Sequence, residues 1–136
     1  MASKVQIPAK TQTASPGFLY SALILGWLVP GAGHLLTGRW IRAVLLFVSI
    51  GAMYWLGIAM LGQLYAPNTG DILDMLGFVG DLGNGVFYAI GRIFDMGSTP
   101  VQLATADYGT KFIVVAGLLN FISAVDAHNL RIGRKA

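Results

Sequence analysis

No cysteine occurs in the 136-residue chain, which excludes disulfide frameworks, thiol nucleophiles, iron–sulfur clusters and cysteine-based zinc sites. Glutamate is missing too: the six acids are Asp71, Asp74, Asp81, Asp95, Asp107 and Asp126. Charge of either sign is scarce, at 11% charged against 55% hydrophobic residues, where a soluble domain carries roughly 25% charged. So few charges cannot coat a surface that faces water. The net charge of +3 is scattered among apolar runs and forms no basic stripe, so no nucleic-acid partner is expected. There is no Gly-x-Ser-x-Gly, no His-Glu-x-x-His and no pair of carboxylates set to be buried together, so hydrolase and metalloprotease chemistry has no support. Gly31-Ala32-Gly33 and Gly83-Asn84-Gly85 lack the strand-loop-helix setting and the following Lys-Ser/Thr of a phosphate loop. No catalytic residue, metal site or soluble substrate is expected.

Uncharged runs of membrane length are what the chain does have. Residues 18–36 lie inside a stretch without Asp, Glu, Lys or Arg and approach the roughly 20 residues that cross a bilayer. Pro30-Gly31-Ala32-Gly33 interrupts this first span, predicting a kink or a broken end. Lys4 and Lys10 ahead of it invite a signal-peptide reading, but no small-residue cleavage site follows, so the run reads as a retained helix. Arg39 and Arg42 bracket Trp40, and a second uncharged run leads to a span at 41–65. The short link 37–40 predicts that the first two spans form an antiparallel hairpin. A third run, 112–125, is short, but Lys111 at one end and Asp126 with His128 at the other extend it to a span at 109–129.

Between the second and third spans, residues 66–108 open on Pro67-Asn68-Thr69-Gly70 and close on Gly97-Ser98-Thr99-Pro100, both turn signals. Leu73, Leu76, Val79, Val86, Ile90 and Ile93 recur at helical spacing, with Asp71, Asp74, Asp81, Asn84, Tyr88, Arg92 and Asp95 mostly opposite. The expectation is two short amphipathic helices, broken near Gly83-Asn84-Gly85, lying on the membrane surface or against the bundle. A fourth span through Asp81 is the alternative. The fold class is thus an all-α integral membrane protein of one domain. Three transmembrane helices, the first two a hairpin, carry an amphipathic insertion between the second and third, an N-terminal extension at 1–17 and a basic tail at 130–136.

With three spans, Arg39, Arg42, Arg131, Arg134 and Lys135 share one side. Lys4, Lys10, Arg92 and Lys111 share the other with five of the six acids. The positive-inside rule then puts the C-terminus in the cytoplasm of a bacterial inner membrane and residues 66–108 on the outer side.

His34 and His128 are the candidate cofactor contacts, since axial ligation of a haem or (bacterio)chlorophyll needs one imidazole nitrogen. A polar residue capping a broken helix or sitting among headgroups is the structural reading of both. Asp126 adjoins a span and needs a partner; pairing with Arg39 or Arg42, or a hydrogen bond to His34, would tie the third helix to the hairpin. A proton relay would require further acids or histidines across the membrane. Asn120, among Ala116, Gly117 and Ala124, and the small residues Gly51 and Gly57 of the second span are candidates for close helix packing.

The run Leu28-Val29-Pro30-Gly31-Ala32-Gly33-His34-Leu35-Leu36-Thr37-Gly38-Arg39-Trp40, followed by a long apolar helix, resembles small bacterial membrane proteins of the two-transmembrane-helix domain type. Ala116-Gly117-Leu118-Leu119-Asn120, leading to Val125-Asp126-Ala127, is similar to their later apolar helix ending in Asp. The likeness extends to families of unknown function in acidobacteria and related bacteria. It implies a helical hairpin and supplies no activity. Residues 66–108 depart from that pattern.

The functional expectation is a non-catalytic accessory or scaffold subunit in a larger membrane protein assembly, such as a photosynthetic or respiratory electron-transport complex. Its helices face partner or lipid. A homo-oligomeric transporter or channel component is the alternative. Pigment or haem attachment through His34 or His128 is a third reading.

Overall fold

A computed structural model describes residues 16–99 and 102–133, which form six helices and no strand. Lys4 and Lys10 with the rest of 1–15, Pro100, and the tail residues Arg134 and Lys135 lie outside the described residues. The helices are α1 (Pro16–Leu28), α2 (Ala32–Leu36), α3 (Trp40–Ala59), α4 (Ile72–Leu82), α5 (Val86–Ile93) and α6 (Ala104–Arg131).

Two of them, α3 with 20 residues and α6 with 28, are long and apolar enough to cross a membrane. They run antiparallel: Gly57 lies against Gly109 and Ile113, and Ile50 and Tyr54 share a buried cluster with Ile113 and Ala116. Gly57 has to be small, because a Cβ there would sit 2.7 Å from the Gly109 carbonyl oxygen. α6 is longer than the span expected at 109–129, taking in residues from the insertion. α3 is shorter than 41–65. It stops at Ala59, where the Gly62 N–H donates back to the Gly57 carbonyl (2.9 Å) across Leu61 at φ 62. That left-handed stop suits glycine or asparagine, and a leucine gives no sequence signal for it.

Residues 18–36 do not form one span. α1 starts beside the C-terminal end of α6, with Tyr20 stacked on His128. It runs antiparallel to α6, with Gly26 against Ala124, and ends where Asn120 reaches the Trp27 carbonyl. The chain then reverses through Pro30 and Gly31, whose φ of 82 lies in the left-handed region. α2 heads back, with Gly33 beside Ala22 and Ala127. Proline explains why α1 stops, since its ring and missing N–H end a helix; Gly31 explains the reversal. Because α1 packs on α6 and α2, the expected pairing of a first span with the second is replaced by a half-length hairpin, α1–α2.

Residues 66–108 hold the two expected short helices, broken at Gly83-Asn84-Gly85, and they lie against the bundle. Asp71 caps α4 by accepting the Leu73 N–H (2.8 Å), which fixes its start. α4 runs parallel to α6, with Gly80 on Val114 and Gly83 on Gly117 and Phe121, and stops halfway along it. α5 returns beside α3, with Phe87 on Gly51 and Gly91 on Tyr54 and Leu64. The Leu64 N–H closes the base of this second hairpin on the Gly97 carbonyl (2.9 Å).

Burial runs opposite to the amphipathic expectation. Ile72, Leu73 and Ile93 are 80%, 74% and 78% exposed, whereas Asp81, Asn84 and Asn120 are at 0%. Asp81 turns inward while Asp71 stays exposed, and apolar residues of α3, α4 and α6 cover much of the outside around an apolar cluster of Ile50, Tyr54, Ile113 and Ala116.

Candidate functional site

The tips of the two hairpins meet at the middle of α6, and polar groups hold them there. Broken helix ends leave backbone carbonyls without intrahelical partners; here side chains from distant elements supply them. The Asn120 amide donates to the Trp27 carbonyl at the end of α1 (2.7 Å) and to the Gly83 carbonyl after α4 (2.8 Å). The Trp27 indole N–H donates to the Leu82 carbonyl (3.0 Å). The Asn84 amide donates to the Asp81 carbonyl (3.2 Å) and to the Ile113 carbonyl of α6 (3.0 Å). Gly85, at φ 58 and ψ −117, passes so close to the first tip that a Cβ would lie 2.6 Å from the Leu28 carbonyl oxygen.

Toward the base of the second hairpin, the Asp81 Oδ2 accepts the Tyr65 N–H (2.7 Å), and the Tyr88 hydroxyl donates to the Tyr65 carbonyl (2.9 Å). Both backbone polar groups of Tyr65 are thereby fastened, its N–H to α4 and its carbonyl to α5. Burial, followed by the nearby carboxylate of Asp74, raises the Tyr65 phenol above its ordinary range, keeping it neutral. Asp81 Oδ1 and the Tyr54 hydroxyl are buried with no protein hydrogen-bond partner.

At the other end, His34 Nε2 lies 3.2 Å from Asp126 Oδ2. The imidazole side chain is 2% exposed and the carboxylate 24%. Thr37 backs this corner by donating to the His34 carbonyl (2.9 Å). Asp126 thus meets His34, and neither Arg39 nor Arg42 forms an ion pair with it. Those two arginines lie beside Trp40 on the surface groove at the α2–α3 turn. One nitrogen of His34 faces Asp126 and the whole ring is buried; the His128 ring is covered by Tyr20. A planar macrocycle would reach either imidazole only after those neighbours moved. Among the described residues no three His or Asp side chains gather as a metal-binding group.

The small residues singled out in the sequence lie at helix crossings. Gly51 faces Phe87, Gly57 faces Gly109 and Ile113, Gly117 faces Gly80 and Asn84, and Ala124 faces Gly26. Ala116 is fully buried.

This junction falls within the stretch by which the chain can be classified. The chain belongs to the family of unknown function DUF6677. The match takes in residues 21–136, and therefore all of the first hairpin but the start of α1, the whole second hairpin, both long helices and the His34–Asp126 pair. An uncharacterised family is also what the resemblance in the sequence implied. No curated protein and no solved structure matches the chain.

Trp27, Tyr54, Asp81, Asn84 and Ser123 were not singled out by sequence reasoning as interior polar groups. For Asn84, a signal was present in the flanking Gly83 and Gly85, since an asparagine between glycines suits a tight reversal. Nothing local marks Asp81, which reads as one of several acids on a polar face.

Proposed function

We propose that the chain is a membrane-embedded, non-catalytic accessory subunit of a larger membrane assembly. The observation that carries this reading is the apolar exterior: leucine, isoleucine, valine and aromatic residues of α3, α4 and α6 stand exposed, while Asp81, Asn84 and Asn120 are fully buried. Such a surface is stable only against lipid or apolar protein. A photosynthetic or respiratory electron-transport complex remains the proposed setting.

In this reading α3 and α6 are the two spans, and the hairpins enter from opposite faces to half depth. Non-helical backbone at that depth is tolerated when it is buried in protein, as both tips are. The charge distribution supports one orientation. Arg39, Arg42 and Arg131 lie at the end where α1 begins and α6 finishes, and the sequence flanking those helices adds Lys4, Lys10, Arg134 and Lys135. Asp71, Asp74, Asp95 and Asp107 lie at the other end with Arg92 and Lys111. The start of α1 and the end of α6 are then cytoplasmic and the base of the second hairpin faces outward, in place of the three-span arrangement that sets those two helix ends on opposite sides.

Purification of the tagged protein from its native membrane in gentle detergent, with native electrophoresis and mass spectrometry, tests the reading. Stoichiometric recovery with a large assembly is expected; recovery as a single chain would overturn it. One observation favours the transporter alternative, namely two broken hairpins meeting from opposite faces at mid-depth, an arrangement used to build substrate sites.

A further inference from the structure

The turn that joins α2 to α3 places two arginines over a groove. It is a fixed turn: the Gly38 N–H donates to the Leu35 carbonyl (3.0 Å), the Arg39 N–H to the His34 carbonyl (3.0 Å), and the Thr37 hydroxyl to the same His34 oxygen (2.9 Å). Gly38, Arg39, Trp40, Ile41 and Arg42 line a surface groove of about 420 Å³, inside the range of about 300–1,000 Å³ usual for small-ligand sites. Its mouth is open, since a Cβ built on Gly38 would meet nothing within 4 Å. Neither guanidinium has an ion-pair partner among the described residues, and the carboxylate at this end of the molecule, Asp126, is held by His34.

A second groove lies below it on the same face. Trp40, Val44 and Phe47 of α3 recur at steps of four and three residues and so stand in one row. Trp40 lines the basic groove; Val44 and Phe47, with Leu35 of α2 and Pro30 at the hairpin tip, line an apolar one whose lining holds no charged residue. From Trp40 to Phe47 α3 rises roughly 10 Å, against about 15 Å for one half of a bilayer's hydrocarbon core. The two grooves together match one lipid molecule seated in one leaflet: cations and a tryptophan at headgroup level, where such residues collect, and an apolar surface beneath them that ends at half depth with the hairpin. Arginines that serve only to orient a helix need no groove beneath them. A separate apolar groove, along Met53, Tyr108 and Phe112, is lined by a single cation, Lys111, whose ammonium is already engaged over the Tyr108 ring, 5.4 Å from its centroid.

We propose that this face is a binding site for one anionic phospholipid, with its phosphate on Arg39 and Arg42 and an acyl chain laid along Leu35, Val44 and Phe47. A guanidinium suits this task, because its planar fork meets two phosphate oxygens at once and keeps its charge. Two adjacent cations disfavour a headgroup that carries its own ammonium, so a headgroup of net negative charge is selected over a zwitterionic one. A free phosphate would use the arginines and leave the apolar groove unfilled. The inference rests on the membrane-embedded reading and is independent of the accessory role.

The test is lipid binding by the full chain in micelles of non-ionic detergent, read by native mass spectrometry of the retained adducts. The chain is titrated with phosphatidylglycerol, with phosphatidylcholine of the same acyl chains, or with glycerol phosphate, and circular dichroism checks the fold of each variant. The wild type is expected to hold one phosphatidylglycerol roughly tenfold or more tightly than phosphatidylcholine, and to bind glycerol phosphate far more weakly. Arg39→Gln combined with Arg42→Gln should remove that preference. Val44→Trp, which fills the lower groove, should weaken phosphatidylglycerol binding several-fold with both arginines in place. Arg92→Gln combined with Lys111→Gln, an equal loss of charge at the other end of the molecule, should leave binding unchanged. If the double arginine variant fails to fold, Val44→Trp and the Arg92 and Lys111 variant carry the test. Equal binding of the two lipids, glycerol phosphate held as tightly as phosphatidylglycerol, Val44→Trp binding like the wild type, or the same loss from the Arg92 and Lys111 variant would each overturn the lipid site while leaving the membrane reading standing. A chain that stays folded and monodisperse in buffer without detergent would overturn both.

Discussion

The two half-length hairpins solve one problem with different chemistry. α1–α2 is apolar along almost its whole length and turns on Pro30 and Gly31; α4–α5 is amphipathic and turns on Gly83-Asn84-Gly85. The first has no polar side chain that fastens its own turn to α6; its broken end offers the Trp27 carbonyl to Asn120 and lends the Trp27 indole N–H to the Leu82 carbonyl of the other hairpin. The second brings its own polar side chain, Asn84, which fastens the turn to α6. A reversal inside an apolar environment has to satisfy its loose backbone groups locally or borrow partners. Both hairpins borrow Asn120; the first lends Trp27 to the second, and the second fastens itself to α6 through Asn84. Asn120 serves the two tips at once, so they are expected to stand or fall together.

The sharpest way to break the comparison is at the turn glycines. Gly85→Ala introduces a side chain at a φ/ψ that only glycine adopts readily and within 2.6 Å of a carbonyl oxygen of the opposite tip. A loss of more than about 3 kcal/mol is expected, measured by detergent-titrated unfolding followed by circular dichroism. Asn120→Leu comes next. It strips the partner from carbonyls of both hairpins, costing about 2 kcal/mol, and cysteine labelling near Leu28 and near Gly83 should rise in parallel. Labelling at one tip only would show that the hairpins are independent.

A smaller effect separates His34 from the arginines as the partner of Asp126. Combining Asp126→Asn with His34→Gln should give a coupling of about 1 kcal/mol in a double-mutant cycle, whereas Asp126→Asn with Arg39→Gln should add to within about 0.5 kcal/mol. The smallest effect belongs to Gly38→Ala. Gly38 has φ 74 and nothing within 4 Å of a built Cβ, so only the conformational cost remains, about 1 kcal/mol. Gly31, also at positive φ but pressed on Ala43, should be far more sensitive, which calibrates crowding against backbone strain.

Much of the helical layout was legible. The uncharged runs mark α3 and α6, Pro30-Gly31 marks the end of α1, and the glycine pair around Asn84 marks the break between α4 and α5. That Asp126 needs a partner was legible, but the choice among Arg39, Arg42 and His34 was not, and the contact to His34 comes from the tertiary structure. Which face of α4 points inward was not. Leu73, Leu76 and Val79 read as a buried stripe only if water lies outside; where the outside is apolar, the same pattern buries Asp81 instead. The end of α3 was hidden because Leu61, an atypical residue for the left-handed position, makes the stop.

The sequence alone determined an all-helical chain poor in charge, with two helices long and apolar enough to cross a membrane, and the places where its helices break. Proline and glycine act on their own few residues, so their effect can be read locally. Only the tertiary structure decided that each broken helix turns back rather than continuing. That choice depends on whether the freed carbonyls find donors. The donor that settles it, the Asn120 amide, lies 93 residues from Trp27 and 37 from Gly83, beyond anything a local pattern encodes.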